Sequence, residues 1–250
     1  MAIVKNLSVE EYNAIPALRV SSLGAFMRSP AHYKHAVESQ KVDQTYFRVG
    51  TAVHTLILEP DQACTIMRYS AHKTACQAYF KACAMNPGKV LLLDAEYEMV
   101  MRMVDALREQ KYIMDMLEGC DTELSITGKL YGVACKSRID AWNPNTNIII
   151  DLKTTKESVS TFKSSIYKYK YYIQNVFYRK MMEVNGKPVD DFLFVVLEKD
   201  APYGSKVIKL SDEFLAKGEA IIEEELPKFK KCLETGVWGG YTHDIEVIEP

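Results

Sequence analysis

The chain has 250 residues, 48% hydrophobic and 26% charged, the composition of an ordinary globular protein, which excludes a disordered, collagen-like or disulfide-stapled chain. Its 31 Lys and Arg against 33 Asp and Glu leave a formal charge of −2, so bulk charge holds neither nucleic acid nor membrane, and any polyanion site must be local. No stretch approaches the roughly 20 apolar residues of a membrane span, and the opening MAIVKNLSVEEYNAIP is no leader, so a cytoplasmic protein is expected.

Ser21 or Ser22 is expected to cap a short helix through Met27, and Ser29-Pro30 to start a second one. Arg48 to Leu58 places Val49, Val53, Leu56 and Ile57 at helical spacing and stops at Glu59-Pro60. Asp94 opens an amphipathic helix with a stripe of Met99, Met103, Ala106 and Leu107, which is ordinary core packing. From Glu123 the pattern becomes β, with a hairpin broken at Gly128-Lys129, a turn at Pro144 to Asn147, and a strand from Ile148 to Leu152 buried at the sheet centre. Ser158 to Val184 is again helical, DDFLFVVLEKD and SKVIKLS are strands, and Ser211 caps an acidic helix. The fold class is α/β or α+β around a mixed sheet, with a helical N-terminal region. No C-x-x-C spacing occurs, so Cys64, Cys76, Cys83, Cys120, Cys135 and Cys232 are expected to be free and mostly buried.

Strand alternation puts Asp151 and Lys153 on one face while Leu152 enters the core. Asp140 comes alongside across the Pro144 turn, so two carboxylates and an amine cluster. Two hard oxygen donors suit Mg²⁺ or Mn²⁺, and such an ion activates water and neutralises phosphodiester charge. Lys153 would orient or deprotonate the water, or support the developing charge. Alone, a D-x-K is more often a surface ion pair.

Its surroundings change that weighting. Asp140, then Asp151-Leu152-Lys153, an upstream Glu123, a distant Gly50-x-x-x-His54 with Leu58-Glu59-Pro60, and a downstream Tyr171-x-x-Gln174-x-x-x-Tyr178 follow in order. So arranged, and with openings Ser21 to Phe26 and Ser29 to Tyr33, the sequence resembles the PD-(D/E)xK nuclease superfamily, its RecB-type branch, and within it the RecE-like and lambda-type phage exonucleases, over about residues 20 to 200. The resemblance implies a restriction-endonuclease-like core in one nuclease domain: 1–118 mainly helical, 119–210 the catalytic sheet, 211–250 an acidic helix and tail. It makes Asp140, Asp151 and the Leu152 carbonyl metal ligands, Lys153 the catalytic lysine, and His54 a ligand rather than a satisfied helix histidine. Glu123 either ligates through water or merely ends a strand. Gln174 and Tyr178, four apart on one helical face, are placed beside the centre.

Residues 151–180 carry seven Lys or Arg, two acids and five Tyr, whereas 211–250 carry ten acids and four Lys. The first mixture suits phosphate tracking and base stacking, although a solvated helix face has the same composition. DNA contacts are expected at Arg28, Arg138, Thr154, Lys156, Lys170 and Tyr171, with Arg28 taking a 5′-phosphate. Cys232 alone in the last third rules out a four-cysteine iron-sulfur cluster, and no P-loop occurs, so no ATP is expected. The resemblance implies a Mg²⁺-dependent exonuclease, Mn²⁺ able to substitute, cutting double-stranded DNA ends 5′ to 3′ in a bacterial host cell. It also implies a single-strand annealing protein as partner and a ring-shaped homo-oligomer, trimer or tetramer. The rivals are an endonuclease on the same fold and a catalytically silent DNA-binding subunit.

Overall fold

A computed structural model describes residues 1–39, 47–70 and 77–241. Along the chain run β1 (Ala2–Val4), α1 (Val9–Ala14), α2 (Val20–Phe26), α3 (Pro30–Glu38), α4 (Arg48–Leu58), β2 (Ile66–Tyr69), α5 (Gln77–Met85), β3 (Val90–Leu93), α6 (Asp94–Arg108) and α7 (Lys111–Leu117). Then follow β4 (Asp121–Leu130), β5 (Val133–Asn143), β6 (Ile148–Thr155), α8 (Lys163–Lys168), α9 (Tyr171–Glu183), β7 (Asp191–Glu198), β8 (Ser205–Lys209) and α10 (Asp212–Thr235). The main sheet has the order β1-β4-β5-β6-β7-β8, and every pairing in it is antiparallel except β6 with β7. A parallel pair needs a crossover, which α8 and α9 provide.

Alternating side chains give the sheet two apolar faces. On one, Ile149, Leu124 and Phe194 pack with Ile173 and Phe177 of α9, Ile222 and Leu226 of α10, and Leu23 of α2. On the other, Ile150 and Leu152 pack with Val53 and Leu56 of α4 and Met103 and Leu107 of α6. Burial on both faces explains the unbroken apolar run at 148–150. Among the described residues no helix is long and apolar enough to cross a membrane.

What positions the site is a split in the sheet. Strands β5 and β6 pair only at Ala141↔Ile150, Trp142↔Ile149 and Asn143↔Ile148. Beyond those pairs β6 follows β7 along its length, while the free edge of β5 takes Leu18, whose N–H donates to the Ala134 carbonyl at 2.9 Å and whose carbonyl accepts from Lys136 N–H at 2.8 Å. Asp140 and Asp151 are the first residues past the last pair, so the fork opens between them.

Helix α4 has the expected bounds, and Ser29 caps α3 with its hydroxyl accepting from His32 N–H. Other expectations need correction. Arg19 occupies the N-cap position of α2, so Ser21 and Ser22 lie inside the helix. The β4–β5 hairpin turns at Tyr131-Gly132, where φ is +50° and +80°, the two positive values a two-residue I′ turn requires. Gly128 stays inside the strand because a Cβ there would meet Val184 Cγ2 at 2.9 Å. The expected helix over 158–184 is broken into a 3-10 turn, α8 and α9, since Lys170 adopts φ 56° and ψ 40°. The stripe of α6 centres on Val100, Met103, Val104 and Leu107, with Met99 only partly buried. Strands β1, β2 and β3 are additions to the expected set. Of the five described cysteines, all free, only Cys135 is buried, while Cys76 and the tail 242–250 lie outside the described residues.

Helices α9 and α10 touch backbone to backbone at Gly218, where a Cβ would lie 2.5 Å from the Tyr172 carbonyl oxygen. That atom belongs to a helix and cannot yield locally. Gly218→Ala is therefore expected to destabilise the fold by roughly 1–3 kcal/mol, the usual cost of overpacking, and a thermal melt unchanged from the parent protein would refute the close contact.

Candidate active site

At the fork the two faces of the sheet each supply part of a polar cluster. From the α4 side, His54 Nδ1 lies 3.5 Å from Asp140 Oδ2, and His54, Glu123 and Asp140 have ligand atoms all within 4.8 Å of one another. The register Thr122↔Ala141 and Leu124↔Ile139 sets Glu123 opposite Asp140, and Glu123 holds a left-handed φ of 49°. Such a conformation is strained for a residue with a side chain. Gly50, one helical turn before His54, faces β6, where an added Cβ would stand in ordinary contact 3.4 Å from Thr154 Oγ1. The second Asp140 contact is to the main chain, where Leu152 N–H donates to Oδ2 at 2.8 Å.

From the α9 side, Asp151 is 1% exposed and forms an ion pair with Lys153, while Gln174 Nε2 donates to Asp151 Oδ1 at 2.8 Å. The hydroxyl of the partly buried Tyr178 hydrogen-bonds to Gln174 in turn. Lys153 Nζ also sits 5.0 Å from the centre of the Tyr171 ring. Asp151 is thus turned toward Lys153 and Gln174 and stands outside the His54–Glu123–Asp140 group.

Burial dominates the protonation of the cluster. It raises the carboxyl pKa of Asp140, and with Asp140 alongside it raises that of Glu123. It pushes Asp151 up to about 6 against the pull of Lys153, and it holds the His54 pKa down. For Lys153, burial opposes the charge, but Asp151 and Asp140 outweigh it and the pKa is raised. A buried and two partly buried carboxyls that resist ionisation together, with one imidazole kept neutral, form a donor set for a divalent cation of the Mg²⁺ or Mn²⁺ kind, and the nitrogen ligand favours Mn²⁺.

A pH dependence follows. Asp151 titrates near 6 in the fold and 3.8 outside it, so between these values the folded state binds more protons and stability falls as pH rises. The shift of about two units corresponds to roughly 3 kcal/mol. His54, with a lowered pKa, gives the opposite slope around its ordinary value. In chelator, raising the pH from about 4 to 6 is expected to cost the parent protein about 2 kcal/mol more than Asp151→Asn, read by melts across the window. Parallel curves would contradict the buried carboxyl.

Beside the cluster opens a cleft of about 360 Å³ whose lining includes Arg19, Lys136, Arg138, Lys170, Tyr169 and Tyr171, with Gln174 and Tyr178 toward the fork. Arg138 donates from Nε to Glu123 Oε2 at 2.5 Å, while its buried Nη1 has no hydrogen-bond partner. Of the residues nominated for DNA contact, Arg138, Lys170 and Tyr171 line this cleft. Arg28, exposed just past α2, and Thr154 and Lys156, at the far end of β6, do not. Arg19 and Lys136 are cations that sequence reading passed over. Lys136 had a signal, two positions from Arg138 on the same strand face, whereas Arg19 reaches the cleft only because Leu18 docks on β5.

A mixed sheet forked between two strands, with an acid on each and a lysine two positions beyond the second, is the PD-(D/E)xK architecture. The chain belongs to the family described as a PDDEXK-like domain of unknown function (DUF3799), whose model matches residues 19–249. A solved structure from Eubacterium rectale, described as a "putative exonuclease", shares the fold with a TM-score of 0.68 at 16% identity, covering 94% of this chain and 89% of its own. A second solved chain, SSO0001, is 14% identical with a TM-score of 0.30, covering 76% of this chain and 95% of its own, and carries no argument here. No curated protein matches the chain.

Proposed function

We propose that the protein is a divalent-metal-dependent exonuclease acting on double-stranded DNA ends. The single observation that carries this reading is the continuity of the fork with the cationic cleft, which sets the acid cluster and Lys153 where a phosphodiester drawn in by Arg19, Arg138 and Lys170 would lie. His54, Glu123 and Asp140, joined by Asp151 and the Leu152 carbonyl, would hold Mg²⁺ or Mn²⁺. When bound, such an ion supplies Lewis acidity to water and to a phosphodiester oxygen.

The chain's own residues do the rest. Lys153 carries a raised pKa and is an ammonium at neutral pH, so it donates and stabilises negative charge developing on the phosphate oxygens rather than abstracting a proton. Gln174 fixes the Asp151 carboxylate and Tyr178 fixes Gln174, which limits the rotamers open to both. Arg138 orients Glu123 with Nε and keeps Nη1 for a phosphate oxygen. The printed description of the Eubacterium rectale relative and the resemblance of the motifs support exonuclease action. The resemblance further supports 5′ to 3′ polarity leaving a 3′ strand, action with a single-strand annealing protein in phage-type recombination in a bacterial cytoplasm, and a trimeric or tetrameric ring.

Covalently closed circular and linear plasmid incubated side by side with Mg²⁺ test the reading. Loss of the linear form with the circle intact is expected. Nicking or linearisation of the circle would replace it with an endonuclease, and two intact substrates would leave a DNA-binding subunit.

A further inference from the structure

The mouth of the cleft carries an aromatic that the core does not use. Tyr169 is 56% exposed, yet it is fixed in place: its ring leans on Tyr171 at 5.6 Å and 32°, and the Lys168 ammonium stands 5.3 Å from its centre. Tyr171 is itself stacked on the buried Phe162 at 5.7 Å and 19°, and Lys153 Nζ lies 5.0 Å from the Tyr171 ring. An aromatic ladder therefore runs from the surface to the lysine of the active centre. Its two upper rungs flank Lys170, whose left-handed φ of 56° breaks the helix and brings Tyr169 and Tyr171 to the same cleft. A lysine in that conformation is strained, and the surrounding structure must hold it.

We propose that Tyr169 is a stacking platform for the terminal base of the DNA strand entering the cleft, and so a residue that selects ends with an unstacked base. The inference rests on the DNA-cleaving reading above and deepens it. A ring more than half exposed, held by Tyr171 on one side and the long, mobile Lys168 side chain on another, offers a base π-surface at the mouth of a cationic cleft while Lys168 and Lys170 take backbone charge. From the distances above, the ring is no more than about 11 Å from Lys153 Nζ, within a few nucleotides of the bond to be cut at about 3.4 Å of rise per nucleotide. Tyr171 is the partly buried rung, packed against Phe162, Phe194 and Lys153, which leaves Tyr169 as the more open rung.

The test uses a short duplex with phosphorothioate linkages, 2-aminopurine as the terminal base of one strand or the other, and a dye at the far end. With the unaltered protein and Mg²⁺, binding read by anisotropy is expected to be accompanied by quenching of 2-aminopurine in one of the strands. Tyr169→Ala is expected to lose the quenching and bind about 5- to 150-fold more weakly, and Tyr169→Phe to keep both. Melts of the variants confirm folding, which an exposed ring does not determine. Equal quenching and affinity in the unaltered protein and Tyr169→Ala would overturn the platform while leaving the nuclease reading standing. An unaltered protein that binds no duplex end would overturn both.

Discussion

Replacing Asp140 or Asp151 by Asn is expected to abolish metal binding and strand cleavage together, whereas Lys153→Ala is expected to bind metal as before and still lose cleavage by about 10³-fold or more. The contrast follows from the chemistry of the side chains, since carboxylates ligate and an ammonium does not. Asp151 makes the experiment informative, because it faces Lys153 and Gln174 and is not within the His54–Glu123–Asp140 group. If it only positioned the lysine, Asp151→Asn would titrate with Mn²⁺ like the parent protein. Calorimetry with Mn²⁺ and a nuclease assay on the same preparations separate the roles. Unchanged Mn²⁺ affinity in Asp140→Asn would remove that residue from the metal centre.

The second large effect is structural and lies at Lys136. Its ammonium is 4% exposed as a residue and donates to the carbonyls of Tyr12, Asn13 and Ile15 at 2.8, 3.0 and 2.8 Å, with the Tyr12 ring 4.8 Å away. These are carbonyls of the last turn of α1 and the chain just beyond it, of which Tyr12 and Ile15 also accept from the N–H groups of Ile15 and Ala17. Lys136→Met keeps the aliphatic stem but takes the donor from the Asn13 carbonyl and one of two donors from Tyr12 and Ile15, a loss of roughly 1–3 kcal/mol. The N-terminal segment, with Tyr12 on the cleft wall, is then expected to loosen before the sheet does. Limited proteolysis should cut the variant first within residues 1–18, and equal resistance and melting in both proteins would show that the clasp contributes nothing.

Much of the candidate site was legible because its parts are local. The D-x-K strand, the Pro144 turn, the α4 helix and the four-residue spacing of Gln174 and Tyr178 each follow from periodicity within one element, and Gln174 does meet Asp151. The losses are of another kind. Strand β1 has only three residues and is held by its edge pairing to β4, so no pattern of its own announces it. The pairing of β2 with β3 joins segments too far apart for local propensity to link. Tyr131 and Lys170 take left-handed angles that glycine would have signalled and they do not. The cleft is assembled from α1, α2, β5 and α9, which is why Arg28, next to a recognisable motif, was nominated over Arg19.

The measurement closest to the central claim is release of mononucleotides from an end-labelled linear duplex, followed with Mg²⁺ and again in excess chelator. The account requires release with the metal, its loss in chelator, its return on adding back Mg²⁺ or Mn²⁺, and release by Lys153→Ala slowed by about 10³-fold or more. Release in chelator at the same rate, or by Lys153→Ala at the parental rate, would contradict a metal-centred active site at the fork of β5 and β6.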